Sequence, residues 1–213
     1  MMFAHQLDEA IAKYPKLVKS HAGTTTILKG SIDIVDSNGK HWDSYDIEIH
    51  PTADFPSRFP TLFEKGKKIP KNADWHINGD GSCCVAVLPH EIIACTQGIS
   101  VLRYIEEFVI PFLANQTYRR YQGEFANGEY SHGIKGIVEY YQNLLQIENI
   151  QTLISLLDWI IKNPKPSRTN TCFCGSRKKF RHCHRDAYMK IALLGKELLQ
   201  DDLDQIISLY NAK

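Results

Sequence analysis

The dipeptide Asn38-Gly39 closes the polar stretch Asp36-Ser37-Asn38-Gly39, which lies between two runs suited to extended chain, TTTILKGSIDIVD at 24–36 and HWDSYDIEIH at 41–50. Asn and Gly tolerate the positive φ of a tight hairpin turn, and β-branched and aromatic residues suit a half-buried strand. The two runs therefore predict an antiparallel hairpin, with Trp42, Tyr45, Ile47 and Ile49 as packing residues on the returning strand. A short further strand is expected at 61–63, after Pro51, Pro56 and Pro60. The expectation for 24–64 is a four-stranded meander whose last strand is short or irregular before a long loop. A helix is expected over 3–14, with Phe3, Leu7, Ala10, Ile11 and Tyr14 on one face and Pro15 at its exit. Helical patterns follow at 98–121, where Pro111 kinks or divides the helix, then at 131–146 and 148–162. One or two amphipathic helices are expected over 186–212. An antiparallel meander with helices gathered at its ends is an α+β arrangement.

The chain has 213 residues, 43% of them apolar, enough for one main domain and an appendage. The Pro-rich polar stretch NPKPSRTN at 163–170 reads as a linker, dividing a domain at 1–162 from a segment at 171–213. A net charge of +1 gives no broad basic field, which argues against a nucleic-acid partner. The N-terminal stretch MMFAHQLDEAIAKYPK lacks a basic start followed by an apolar run, and no stretch approaches about 18 uninterrupted apolar residues. A cytoplasmic protein with no membrane partner is expected.

Six cysteines without a secretory signal point to metal binding or catalysis rather than disulfides. Two of them end the polar segment in DWHINGDGSCCVAVLPHEI at 74–92. A nucleophilic cysteine needs some exposure and nearby donors for an oxyanion. Asn78 offers an amide, and Gly79 and Gly81 allow tight backbone close to a reacting carbonyl. The plain alternative is that Cys83 and Cys84 are two small buried residues. In an extended segment the pair points opposite ways, so only one can face a site. His76, His90, His132, Asp80 and Glu91 are the ionisable groups of this region and of the helical stretch after it, with surface or bracing roles as the alternative for each.

The order of hairpin, proline-punctuated strand (Asp54-Phe55-Pro56, Phe59-Pro60-Thr61-Leu62), His76-Ile77-Asn78, Gly81-Ser82-Cys83-Cys84 and Leu88-Pro89 resembles the ubiquitin-conjugating-enzyme family over roughly 1–145. Within that family it looks more like the bacterial branch that includes conjugating enzymes of cyclic-oligonucleotide (CBASS) antiphage defence, an impression to which GEYSHGIKGIVEYY at 128–141 adds. The resemblance implies the ubiquitin-conjugating fold and a thioester on Cys84, the cysteine three residues after the glycine. It implies that Asn78 positions the loop or stabilises the oxyanion and that His76 braces the loop or takes part in the chemistry. It also implies three kinds of partner: a protein with a C-terminal glycine tail (ubiquitin-like, or a cyclic-oligonucleotide synthase), an activating enzyme for most relatives, and a target lysine. Ile77 stands where the family has proline. Two other functions compete. One is a non-catalytic adaptor that holds a tail. The other is a cysteine peptidase or deconjugase, which usually sets its thiol at a helix N-terminus; Val85-Ala86-Val87-Leu88-Pro89 is a poor helix start for that.

Residues 172–184 read CFCGSRKKFRHCH. Cys172, Cys174, Cys183 and His184 supply the four soft ligands of a tetrahedral structural zinc site, and Gly175-Ser176 lets the chain turn round a metal. The segment closely resembles the SEC-C motif, which implies a small structural-zinc appendage used in protein contacts and passes over the competing ligand His182. Arg177, Lys178, Lys179, Arg181 and Arg185 make it locally basic, either for contact with nucleic acid or an acidic protein surface, or as a solvated face.

Overall fold

A computed structural model describes residues 2–126 and 130–211. The elements run α1 (Met2–His5), α2 (Leu7–Lys13), β1 (Leu17–Ala22), β2 (Thr25–Val35), β3 (His41–His50), β4 (Thr61–Glu64), α3 (Leu88–Thr96), α4 (Val101–Tyr104), α5 (Ile110–Gln122), α6 (Ile134–Leu145), α7 (Ile150–Lys162), α8 (Arg185–Ala192) and α9 (Lys196–Asn211). The fold is α+β, with one four-stranded antiparallel sheet in chain order β1-β2-β3-β4. The chain divides into two compact units, Met1–Ala86 with Ala94–Glu129, and Val87–Ile93 with Tyr130–Lys213.

In the first unit the predicted hairpin forms at the expected residues. Gly39 takes φ +78°, its N–H reaches the Asp36 carbonyl at 2.9 Å, and the Asn38 N–H reaches the Asp36 side chain at 2.8 Å. The β2–β3 register pairs Ile34 with Asp43 but Val35 with His41, so Trp42 is the extra residue of a bulge. The residues facing the core are therefore Asp43, Tyr45, Ile47 and Ile49, and Trp42, expected to pack inward, is instead 41% exposed against Tyr121. Asp43 enters the sheet end as a paired charge, 2.6 Å from Lys68 Nζ and 2.5 Å from Arg120 Nη1. Burial opposes its ionisation, but these cations and the Ser44 N–H outweigh it and hold the carboxyl below its ordinary range.

The strand absent from the sequence reading is β1, in which only Leu17 is buried. It joins the sheet edge through β2, where Gly30 (φ +147°) lets the backbone come close: a Cβ there would lie 2.1 Å from the Lys16 carbonyl oxygen. The expected strand at 61–63 appears as β4, pairing with β3. Helix α5 continues from α4 through a π-helical turn at Ile105–Val109, immediately ahead of Pro111, so the long helix is interrupted near the expected place. Tyr45 fixes this helix to the sheet through its hydroxyl, 2.9 Å from Thr117 Oγ1 in the buried core.

The second unit is helical around the Cys/His segment. Helices α6 and α7 contribute Val138, Tyr141, Leu145, Leu153, Leu157 and Ile160 to a core shared with α8 and α9. Asn149 caps α7 through its side chain, which accepts from the Thr152 N–H at 2.9 Å. The helices over 134–162 thus belong with the knuckle. The 163–170 stretch has no helix or strand, yet it is tied in place: the Asn163 carbonyl accepts from the Tyr188 hydroxyl at 2.6 Å, and the Arg168 carbonyl from the Arg181 N–H at 3.1 Å. Among the described residues no single helix is long and apolar enough to cross a membrane; α6 and α7 reach that hydropathy only as a pair bent by 78°. Of the 128–141 segment, 128 and 129 lie outside the described residues.

Candidate functional site

The central cysteines sit on a seven-residue turn clipped to the sheet. Ile77 and Cys83 bridge antiparallel, the Asn78 N–H reaches the Ser82 carbonyl at 2.8 Å, and Gly81 takes φ +91° to close the loop. Asp80 accepts from the Ser82 N–H at 2.9 Å and from its hydroxyl at 2.7 Å. Those bonds depress the Asp80 carboxyl below its ordinary range. The Cys83 N–H then bonds the Leu62 carbonyl of β4 at 2.8 Å, and the Cys84 N–H bonds the His76 carbonyl at 2.8 Å.

This clipping divides the two thiols. Cys83 turns into the core, 8% exposed, and burial, reinforced by the charge of Glu64, pushes its thiol up to about 12. Cys84 is half-buried, its Sγ 3.9 Å from the Ala86 carbonyl oxygen. The alternation expected of an extended pair is present, and Cys84 is the more accessible of the two.

His76 adopts a left-handed conformation, φ +54°, at the end of a 3-10 turn over Ala73–Trp75, and its ring meets the edge of Phe125 at 5.7 Å. It joins Cys84 through its backbone carbonyl. Asn78 is exposed and gives its side-chain amide to Ser82 Oγ at 3.0 Å, a bond that braces the turn. His90, stacked on Tyr140 at 5.2 Å, belongs with Glu91 and the exposed His132 to the second unit. The stretch after Cys84 does begin a helix, against expectation. Helix α3 starts at Leu88, four residues beyond the thiol, with Pro89 in its first turn where a missing N–H costs nothing.

Sequence reasoning missed the braces behind this loop. Gln116, on α5, donates to the Trp75 carbonyl at 3.0 Å; Arg119 donates to the Asp74 carbonyl and lays its guanidinium over Trp75 at 4.3 Å and Phe125 at 4.4 Å. Nothing local in the sequence marks these residues, because they act across more than 40 positions.

The knuckle gathers the four residues expected of it. The ligand atoms of Cys172, Cys174, Cys183 and His184 all lie within 4.8 Å of one another. The Cys174–Cys183 sulfurs are 3.6 Å apart, and His184 Nδ1 is 3.4 Å from Cys172 Sγ and 3.3 Å from Cys183 Sγ. A tetrahedral ion with metal–sulfur bonds near 2.3 Å and metal–nitrogen bonds near 2.0 Å requires edges of about 3.8 and 3.5 Å, so the donor set fits a zinc knuckle. Cys172 N–H bonds the Lys178 carbonyl at 2.8 Å, Thr171 bridges Lys179, and Gly175 turns at φ +78°, bending the chain into a loop around the donors. The fourth ligand is oriented from outside: His184 Nε2 lies 2.7 Å from the Leu145 carbonyl oxygen, which fixes the tautomer with Nδ1 free to bind. Burial raises the Cys172 thiol to about 11. At Cys174 burial is outweighed by hydrogen bonds from Ser176, with Cys172 and Cys183 adding theirs, and its thiol falls to about 6. His182 stands outside the group, its Nε2 accepting from Arg181 at 3.0 Å.

Among known families, the SEC-C motif matches residues 168–186, the segment that carries this cluster. No curated protein gives a significant match to the chain, and no solved structure does.

Proposed function

We propose that the first unit is a ubiquitin-conjugating-like acyl transferase in which Cys84 carries the acyl group. The observation that bears most weight is the division of the adjacent thiols: Cys83 is held in the core at a thiol value of about 12, and Cys84 is half-exposed on a loop clipped to β4. N-terminal helices, a meander in chain order and an H-x-N…G-x-x-C loop at its edge support the same reading. In the reaction, Cys84 sulfur attacks the activated carbonyl of a C-terminal glycine. The C–S bond forms as the bond to the activating enzyme's thiol breaks, and that thiol leaves with the proton. A target lysine amine then attacks the thioester, an isopeptide bond forms, and Cys84 is released as a thiol. The acyl donor is a ubiquitin-like protein or a cyclic-oligonucleotide synthase with a glycine tail, and the setting is cytoplasmic antiphage defence of the CBASS kind. A deconjugase fits less well, because Cys84 lies ahead of α3 rather than on its first turn. Asn78 and His76 act by holding the loop, through the bond to Ser82 and the carbonyl under the Cys84 N–H.

For the knuckle, zinc is the metal proposed, in a structural role. When bound it would supply the cross-link that closes the loop over 172–184 and fixes the start of α8 through His184.

A non-reducing gel of the protein incubated with the partner proteins encoded beside it tests the transferase reading. A thiol-sensitive heavier band should form, vanish in Cys84→Ala and persist in Cys83→Ala. A band that follows Cys83 instead, or no band with those partners, overturns the reading.

A further inference from the structure

Lys71 lies on the loop between β4 and the thiol turn, and it is exposed. A Cβ on Gly81 would stand 3.4 Å from its Nζ and 3.5 Å from its Cε, so the side chain lies across the glycine that closes the thiol loop. The Asp80 carboxyl, held low by Ser82 and then by the charge of Lys71, is an anion near the same ammonium. Other lysines of this loop are engaged on the sheet: Lys65 reaches Glu48 at 3.4 Å and Lys68 reaches Asp43 at 2.6 Å. No ion pair with a described residue holds Lys71.

The backbone brings this lysine to the thiol. The peptide group that joins His76 to Ile77 is bonded on both sides: its N–H reaches the Asn72 carbonyl at 3.1 Å, and its carbonyl accepts from the Cys84 N–H at 2.8 Å. One peptide group thus separates the neighbour of Lys71 from Cys84, a gap of about 8 Å between the Asn72 oxygen and the Cys84 nitrogen. An extended lysine side chain reaches about 6 Å from its Cα, on a flexible four-carbon stem. An acyl group on Cys84 Sγ carries its carbonyl a further bond outward, so rotation of the Lys71 stem closes the distance.

We propose that Lys71 is a self-modification site, accepting the acyl group carried by Cys84 of the same molecule. The inference rests on the Cys84 thioester of the proposed function and names one amine that takes its acyl group. In its free-base form the Lys71 nitrogen attacks the thioester carbonyl carbon. The C–N bond forms, the C–S bond breaks, and Cys84 leaves as a thiolate that takes up the proton the nitrogen gives up. The product is an amide on Lys71, which thiols do not cleave. An amine held this close reacts without a bimolecular encounter, which sets it apart from lysines elsewhere on the chain.

The test uses the full-length protein and a small donor, the mercaptoethanesulfonate thioester of acetyl-glycyl-glycine, which exchanges its acyl group onto accessible thiols and releases the free mercaptan. Once excess donor is removed, samples are held at pH 8, treated with reductant to strip thioesters, and mapped by peptide mass spectrometry. Amide-bound acetyl-glycyl-glycine should build up on Lys71 as the Cys84 thioester decays, at a first-order rate unchanged by protein concentration. Its occupancy should exceed that of Lys67, exposed on the same loop, by about tenfold or more. Cys84→Ala should lower acylation of Lys71 by about tenfold or more and leave that of Lys67 within about twofold. Lys71→Arg should keep the Cys84 thioester and prolong its lifetime. A Cys84 thioester that only hydrolyses, acylation of Lys71 that survives Cys84→Ala, or a rate that rises with protein concentration would overturn this proposal and leave the transferase reading in place. Failure of Cys84 to take the donor in folded protein would overturn both.

Discussion

Gln116, 1% exposed, donates its side-chain amide to the carbonyl of Trp75 at 3.0 Å. Its own Oε1 is buried with no hydrogen-bond partner, so donation is the service this side chain performs. The bond ties α5 to the turn that ends at His76, whose carbonyl holds the Cys84 N–H. Gln116→Leu should therefore lower stability by about 1 kcal/mol, the net worth of the hydrogen bond it removes. It should also speed hydrogen exchange at the Cys84 amide relative to amides of β2. Exchange at Cys84 that tracks β2 in both proteins would show that the brace does not reach the thiol loop.

The two central thiols should separate cleanly in an alkylation experiment. At pH 8 a thiol held at about 12 is ionised to roughly one part in ten thousand, and the thiolate is the reacting form. Iodoacetamide should label Cys84 in the native protein well before Cys83, and peptide mapping by mass spectrometry reads this directly. In denaturant the difference should disappear, because burial is its cause.

Elemental analysis should find about one zinc ion per chain, and Cys172→Ser should abolish tight binding, since it removes a buried ligand. Chelation should shift the emission of Trp159, which is stacked on Phe173 beside the donors and 6.3 Å from Tyr188. Leaving Trp159 as the only tryptophan, by substituting Trp42 and Trp75 with Phe, isolates that signal. Alkylation of Cys84 should keep its rate in Cys172→Ser. A preparation that is folded and metal-free would remove the metal site.

A pH effect is expected from the buried pair Tyr141 and Asp202. The tyrosine hydroxyl donates to the carboxylate at 2.6 Å, both residues are at most 2% exposed, and Asp201 is the nearby acidic neighbour. Burial raises the Asp202 carboxyl above its ordinary 3.8, the Tyr141 bond opposing only in part. The native state thus keeps its proton to higher pH than the unfolded chain. Native binding of the extra proton makes stability fall as pH rises from about 4 through the raised native value. Asp202→Asn keeps an acceptor for Tyr141 without the charge, so it should flatten that fall and raise the melting temperature at pH 7 by a few degrees. Thermal melts from pH 4 to 8 would show it, and a variant less stable than wild type at pH 7 would contradict the sign.

The parts of the fold open to sequence reading were those with local causes. Asn38-Gly39 sets a turn by its own backbone freedom, and the cysteine and histidine spacing at 172–184 sets a cluster by reach alone. Edge strand β1 escaped because five of its six residues face solvent or lie half-covered, leaving no alternation to detect. Trp42 lies three residues before Tyr45, so the period of two already sets it on the opposite face, and the bulge, a property of the pair of strands, leaves it without a cross-strand partner there. The braces on the thiol loop, Gln116 and Arg119, and the Leu145 carbonyl behind His184 are tertiary contacts between distant residues. Such contacts leave no periodic trace in one sequence.

The chain leaves the first unit at Val87, gives seven residues to the second, and returns at Ala94. Ile93, 3% exposed, is part of the second unit's core, although 36 residues of the first unit follow it before that unit resumes at Tyr130. No single scissile point therefore yields both halves intact. A fragment starting at 130 would expose a hole where Ile93 belongs, and one ending at 129 would carry a stranded apolar segment from Val87 to Ile93. Limited proteolysis, reporter fusions and attempts to express the knuckle alone all meet that interleaving, and a circularly permuted chain that keeps 87–93 beside 130–211 is the way to obtain the second unit by itself.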